Sequence, residues 1–221
     1  MKGVVFDLDG TLIHSAPDLH AAAARMMEDF GRPAPSLVDV TSFVGNGIPT
    51  LVTRVLAHDG AQEAVDHDAA LARFRAHYLA NPSALTEPYD GVLPMLETLK
   101  AEGFKLGICT NKSSDMTLRI VSELELAPYF DAIIGGDTLA VRKPEPDPLR
   151  LTFGELGLRA EGGLYVGDSE VDAATARAAG SSFALYTGGY RKTAAKDLTT
   201  DFVFDSFDDL TAYILGRFRS A

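Results

Sequence analysis

Two rhythms of apolar and polar positions alternate along this chain. Short, continuous apolar runs occur at Val4–Phe6, Leu106–Cys109, Ala132–Ile134, Leu164–Val166 and Phe183–Tyr186. Between and after them, helix-period patterns occupy Val92–Glu102, Asp115–Leu124, Pro148–Leu156 and Val171–Ala179. Runs with no polar face suit strands buried on both sides, and their alternation with helices predicts parallel βα units wrapped around one sheet. Phe202–Phe204 adds a candidate edge strand and Phe207–Phe218 a last helix.

From about His14 to Leu85 the rhythm changes. This stretch carries no convincing buried strand and reads as helices at Asp18–Phe30, Ser36–Phe43, Ile48–His58 and Ala64–Leu79. Pro17, Pro33, Pro35, Pro49 and Pro82 punctuate it, as suits helix starts and turns. The expected fold class is α/β: a Rossmann-like doubly wound parallel sheet core, residues 1–13 and 86–221, with an inserted helical domain at 14–85. Ser15-Ala16-Pro17 and the stretch from Pro82 to Pro88 are its candidate hinges.

The 221 residues suffice for a sizeable core plus an insert, and 46% hydrophobic with 23% charged residues is ordinary for a globular protein. A net charge of −11 argues against a nucleic-acid partner, whose phosphates need basic contacts. It does not argue against a small anion, because local cations govern a site while distant surface charges are screened. No apolar run is long enough for a membrane span. Met1-Lys2-Gly3 leads into only three apolar residues before Asp7, unlike a signal peptide, so a cytoplasmic address is expected. The single cysteine, Cys109, lies inside an apolar run and reads as a small buried hydrophobe.

The chemistry begins where the first strand ends, in Asp7-Leu8-Asp9-Gly10-Thr11-Leu12. In an extended segment Asp7 and Asp9 point to the same side. Two carboxylates there repel unless a cation or a shared proton lies between them, which suggests a hard cation and a carboxylate nucleophile beside an acid/base partner. Alone, the hexapeptide suits a surface turn equally well. Ligands of open parallel sheets bind beyond the carboxyl ends of the strands, and the other strand ends are also polar. Thr110-Asn111-Lys112 follows the second strand, and Lys143-Pro144-Glu145-Pro146 lies in the loop after the third. Gly167-Asp168-Ser169-x-x-Asp172 follows the fourth. Singly, Thr110 and Asn111 suit a helix cap, Lys143 a solvated loop lysine, and Asp168-Ser169 a turn and N-cap. Jointly, in this order, they point to one site.

With these four motifs the chain resembles the haloacid dehalogenase-like hydrolases over essentially its full length, and the insert matches that superfamily's cap domain. Within it, Phe6–Ser15, Phe43-Val44-Gly45-Asn46-Gly47, Arg142-Lys143-Pro144 and Tyr165–Ser169 are most similar to bacterial phosphoglycolate phosphatases. The resemblance implies a phosphomonoester hydrolase working through an aspartyl-phosphate on Asp7, with Asp9 as acid/base. It implies Mg²⁺ held by Asp7, the Asp9 backbone carbonyl and Asp168. It implies that Thr110, the Asn111 amide and Lys143 hold the phosphoryl group, and that Asp172 orients Lys143 or a metal-bound water. In the cap, Gly45-Asn46-Gly47 is the candidate for facing a small phosphorylated metabolite, with a simple interhelix turn as its alternative. Arg54 and His20 are weighed as carboxylate partners against solvated helix positions, and Gly188-Gly189-Tyr190-Arg191, after the fifth strand, is weighed as a segment near the site against the safer reading of a plain turn.

Asp9 and Thr11 argue against dehalogenation, because the family's dehalogenases lack an acid/base aspartate two residues after the nucleophile. The absence of lysine between His14 and Leu85 argues against phosphonate hydrolases, which need a cap lysine. Phosphoglycolate is the expected substrate. Another small phosphomonoester, pyrophosphate, or phosphoglucomutase-type transfer stand behind it. A phospho-receiver signalling module is disfavoured by the first-strand position of Asp7 and by the insert. Oligomeric state is not legible.

Overall fold

The computed structural model describes residues 2–219. The sheet strands are β1 (Gly3–Phe6), β4 (Lys105–Cys109), β5 (Ala132–Ile134), β6 (Leu164–Gly167), β7 (Ser182–Tyr186) and β8 (Phe202–Phe204). All pair in parallel, in the order β5-β4-β1-β6-β7-β8. Val4 of β1 is in register with Leu106 on one side and Leu164 on the other, so β1 is a central strand.

Side-chain alternation along β1 divides the core. Val4 and Phe6 join an apolar cluster on one face with residues of α5 (Val92–Ala101), α6 (Ser114–Glu123) and α9 (Phe207–Arg219). Val5 and Cys109 join the other, with α7 (Asp147–Glu155) and α8 (Glu170–Ala179). Coverage of both faces explains why the strand runs carry no polar period. The sequence-expected strands and helices all appear, with small shifts at their ends.

The insert holds α1 (Ala16–Asp29), α2 (Leu37–Phe43), α3 (Ile48–His58) and α4 (His67–Ala80). α1 packs on α4 and α2, and α3 on α2 and α4, with Met26, Met27, Val52, Val55 and Phe74 buried between them. α4 begins at His67 rather than Ala64, because the Asp66 carboxylate accepts the Ala69 N–H and sets the first turn there.

One feature of this region departs from the all-helical expectation. β2 (Ile13–His14) and β3 (Glu87–Pro88) form a short antiparallel ribbon where the chain enters and leaves the helices. Two residues per strand are too few to leave a period in the sequence. Buried Asp18 of α1 reinforces the junction by accepting from Leu85 N at 2.9 Å and Thr86 Oγ1 at 2.6 Å. The architecture is thus a doubly wound parallel α/β core carrying an inserted helical cap. No helix among the described residues is long and apolar enough to cross a membrane.

Candidate active site

Counted in chain order, the six sheet strands run 3-2-1-4-5-6, so strand order reverses between β1 and β6. A crevice opens at the carboxyl ends of strands beside such a reversal. Asp7 leaves β1 and Asp168 leaves β6 at this place. An oxygen from each of Asp7, Asp168 and Asp172 lies within 4.8 Å of the others, and all three residues are buried.

Lys143, its side chain 2% exposed, stands 2.9 Å from Asp7 Oδ1 and 2.8 Å from Asp172 Oδ1. It also donates to the Tyr165 hydroxyl at 2.8 Å, and the one proton of that hydroxyl has Asp172 Oδ1 at 2.9 Å and Cys109 O at 3.0 Å as its acceptors. The solvated-loop alternative for Lys143 therefore fails. Asp172 is the N3 residue of α8. Its Oδ2 accepts from Ser169 N and Oγ while Ser169 Oγ accepts the Asp172 N–H, a reciprocal capping box. Local helix chemistry thus aims Asp172 at Lys143.

Asp168 accepts from Thr11 Oγ1 at 2.8 Å and from Tyr190 N at 2.6 Å. Glycine is required on both sides of it. A Cβ on Gly10, whose φ is +83°, would fall 2.6 Å from Asp168 Oδ2, and one on Gly189 would fall 2.2 Å from Asp168 Cβ. The Gly188–Arg191 segment is therefore no plain turn. Tyr190 also accepts the Ala16 N–H at 3.1 Å and meets His14 Nδ1 at 3.0 Å, so one residue touches both Asp168 and the hinge.

The electrostatics follow from this crowding. Burial, first, and neighbouring Asp172 push Asp7 up to about 7, against the pull of Lys143. Burial, then Asp172 and Asp7, raise Asp168 well above the usual carboxylate range. Asp172 is held low despite burial, because Lys143 compensates it. Burial also pushes the Cys109 thiol up to about 12, in keeping with an inert core residue.

Asp9 is placed differently from the other carboxylates. Lys112 Nζ donates to its Oδ1 at 2.9 Å and Oδ2 at 3.0 Å, and Ser15 Oγ donates to Oδ1 at 2.5 Å. Burial alone would lower Lys112, but the Asp9 charge outweighs it and holds the ammonium above the ordinary lysine range. The sequence pattern marks no role for Lys112. Its only signal was adjacency to Thr110-Asn111.

Neither Thr110 nor Asn111 caps α6; the Ser114 N–H goes instead to Asp137. Thr110 Oγ1 accepts from Lys112 N at 3.2 Å. Asn111 Nδ2 donates to Lys143 O and, across to the cap, to Gly45 O, both at 3.1 Å. A cavity of about 180 Å³ is lined by Asp7, Asp9, Thr110, Asn111, Gly45 and Gly47, among others. A smaller one of about 60 Å³ is lined by Asn46 together with Asp7, Asp9 and Asp168. The cap loop therefore faces the carboxylates. Arg54 is half-buried: it donates to Phe43 O and Asn46 Oδ1, both at 2.8 Å, and so fastens that loop, and it lines the smaller cavity. His20 pairs with Pro35 O at 3.0 Å.

Comparison with known proteins agrees with this geometry. Residues 4–186 match the family model for haloacid dehalogenase-like hydrolases. A phosphoglycolate phosphatase of Cereibacter sphaeroides is 49% identical over 211 residues, covering 95% of this chain and 96% of that protein. One from Rhodospirillum rubrum is 41% identical, covering 95% and 89%. Among solved structures, a predicted phosphoglycolate phosphatase from Haemophilus somnus 129pt superposes with a TM-score of 0.91 at 30% identity, covering 96% of this chain and 97% of that one. This chain belongs to the haloacid dehalogenase-like hydrolases.

Proposed function

We propose that this protein is a Mg²⁺-dependent phosphatase that hydrolyses 2-phosphoglycolate to glycolate and phosphate through an aspartyl-phosphate on Asp7. The observation carrying the reaction class is the meeting of Asp7, Lys143 and Asp168 at the strand reversal. The substrate rests on likeness to relatives named for it. In this reading residues 1–13 and 86–221 form the catalytic core and 14–85 the cap.

The donor set fits a magnesium ion. Ionised together, Asp7, Asp168 and Asp172 would face the one ammonium of Lys143 and leave two negative charges uncompensated, in keeping with the upward push on Asp7 and Asp168. The Asp168 carboxylate in particular is buried, with the Thr11 hydroxyl and the Tyr190 N–H as its hydrogen-bond donors. Asp7, Asp168 and the Asp9 carbonyl would hold the ion, few protein ligands being the magnesium habit. Asp172, engaged by Lys143, Tyr165 and Ser169, orients Lys143 instead. When bound, the metal neutralises charge on the phosphoryl oxygens and on the carboxylates.

The chain's own groups supply the rest. Asp7 attacks phosphorus, dividing one difficult displacement into two. Lys143, fixed by Asp172 and Tyr165, favours the ionised form of Asp7 against burial and neutralises charge on the transferring group. Thr110 already accepts the Lys112 N–H, so its own proton is free for a phosphoryl oxygen. The Asn111 N–H serves another. Asp9 gives a proton to the leaving alkoxide and later takes one from the attacking water. The cap loop at Gly45-Asn46-Gly47 closes the cavity and holds the leaving group. Its glycines allow close backbone approach, and the α3 N-terminus favours an anion.

The test is phosphate release with Mg²⁺ from 2-phosphoglycolate, sugar phosphates, nucleoside monophosphates, pyrophosphate and p-nitrophenyl phosphate, with a chelator control. A kcat/KM for phosphoglycolate at least about tenfold above the rest, roughly 1.4 kcal/mol of transition-state binding, supports the assignment. A different peak discards phosphoglycolate and keeps the phosphatase. No release from any ester discards both.

A further inference from the structure

We propose that Lys112 reads an anionic group on the leaving alcohol, carried by the carbon next to the ester oxygen. In this structure the Asp9 carboxylate takes the place that group would occupy. The inference rests on the phosphatase reading above and names the residue that gives it its substrate class.

Lys112 is already arranged as a carboxylate receptor. Its ammonium meets both oxygens of Asp9, at 2.9 and 3.0 Å. Its side chain is only 4% exposed, yet the residue lines the cavity of about 180 Å³ along with Asp7, Asp9 and Gly47. A desolvated cation attracts an anion far more strongly than one in water. The ammonium also lies 5.2 Å from the ring centroid of Tyr78 in α4, so a cap residue helps to fix its position. Arg75 and Arg142 line the same cavity, but both are exposed, where solvent screens them.

Position sets the chemistry of the ligand. Asp9 must reach the ester oxygen, and Lys112 stands one hydrogen bond from Asp9. A group held by Lys112 therefore sits close to that oxygen, within two hydrogen-bond lengths of the Asp9 carboxylate. A carboxylate on the adjacent carbon meets this requirement, as in 2-phosphoglycolate or another 2-phospho-oxy acid. A charge at the far end of a sugar does not.

The exchange also acts on Asp9. Gripped through both oxygens, Asp9 is not free to approach the leaving group. A substrate carboxylate that takes over Lys112 leaves Asp9 with Ser15 alone, which donates to Oδ1 only. A neutral leaving alcohol offers Lys112 nothing in exchange. The same contact would thus bind the correct substrate and release the acid/base group, a preference expressed in kcat as well as in KM.

The experiment compares kcat/KM for 2-phosphoglycolate and for ethyl phosphate, its neutral counterpart, in the wild type, Lys112→Met and Lys112→Arg. The quantity read is the ratio between the two esters. We expect Lys112→Met to shrink the wild-type ratio at least about tenfold and Lys112→Arg to restore part of it. Should Lys112→Met not fold, Lys112→Gln is read in the same way. A wild-type preference that persists undiminished in the variant overturns the role of Lys112 and leaves the substrate standing. A wild type that shows no preference overturns the phosphoglycolate reading, and the role of Lys112 with it.

Discussion

Lys143 Nζ lies 2.9 Å from Asp7 Oδ1, a contact between two residues on opposite sides of the cap insertion. With Asp172 at 2.8 Å, the lysine is the shared counter-ion of two buried carboxylates. Lys143→Met would leave both unpaired. Removing one partner of a buried pair costs about 3–5 kcal/mol, so the variant should lose stability by about that amount as well as activity. Denaturant melts beside the wild type check this. A variant as stable as the wild type would mean that the pair is not structurally coupled.

Asp7→Asn should separate chemistry from folding. Burial and Asp172 already disfavour the Asp7 charge, and Lys143 keeps Asp172 as a partner in the variant. Stability should stay within about 1 kcal/mol, while phosphate release falls at least about 10³-fold. Appreciable turnover in a folded Asp7→Asn protein would remove the nucleophile assignment.

Gly189→Ala tests the metal site without replacing a ligand. The added methyl would land 2.2 Å from Asp168 Cβ, the rigid root of that side chain, so Asp168 must move. The Mg²⁺ concentration for half-maximal activity should rise about tenfold or more. Asp168→Ala should raise it further still. An unchanged magnesium titration in both would show that Asp168 does not hold the ion.

Arg54→Ala should loosen the cap loop. The guanidinium makes two hydrogen bonds that hold Phe43 and Asn46. Their loss, about 1.4 kcal/mol together, predicts a KM for phosphoglycolate about tenfold higher. Steady-state kinetics decide it, and an unaltered KM would detach this loop from substrate binding.

Asp131 provides a pH test away from the site. Against the upward push of burial, bonds from Lys100 Nζ, Leu106 N and Lys105 Nζ hold it down to about 2. A carboxylate depressed in the folded state stabilises above its unfolded pKa, near 3.8, and loses that contribution as pH falls toward 2. The Tm difference between wild type and Asp131→Asn should therefore be flat from pH 5 to 8 and shrink below about pH 4. A gap that stays constant down to pH 2 would contradict the pairing.

The sequence alone determined the layered core and most of the residues gathered at the strand reversal. Both are written in short range: Val4–Phe6 must be a doubly buried strand because no residue in it is polar. Asp7 and Asp168 stand directly after such strands, and the strand ends of a parallel sheet share one edge. Tertiary structure decided the rest. Lys112 reaches Asp9 across 103 residues, and Tyr190 reaches Asp168 across 22, in a segment with the composition of an ordinary turn. The ribbon of Ile13–His14 with Glu87–Pro88 joins chain ends separated by the whole cap. Contacts of this kind leave no period and no local spacing. They exist only because the sheet order and the packing of α1 to α4 bring distant side chains within hydrogen-bond distance of one another.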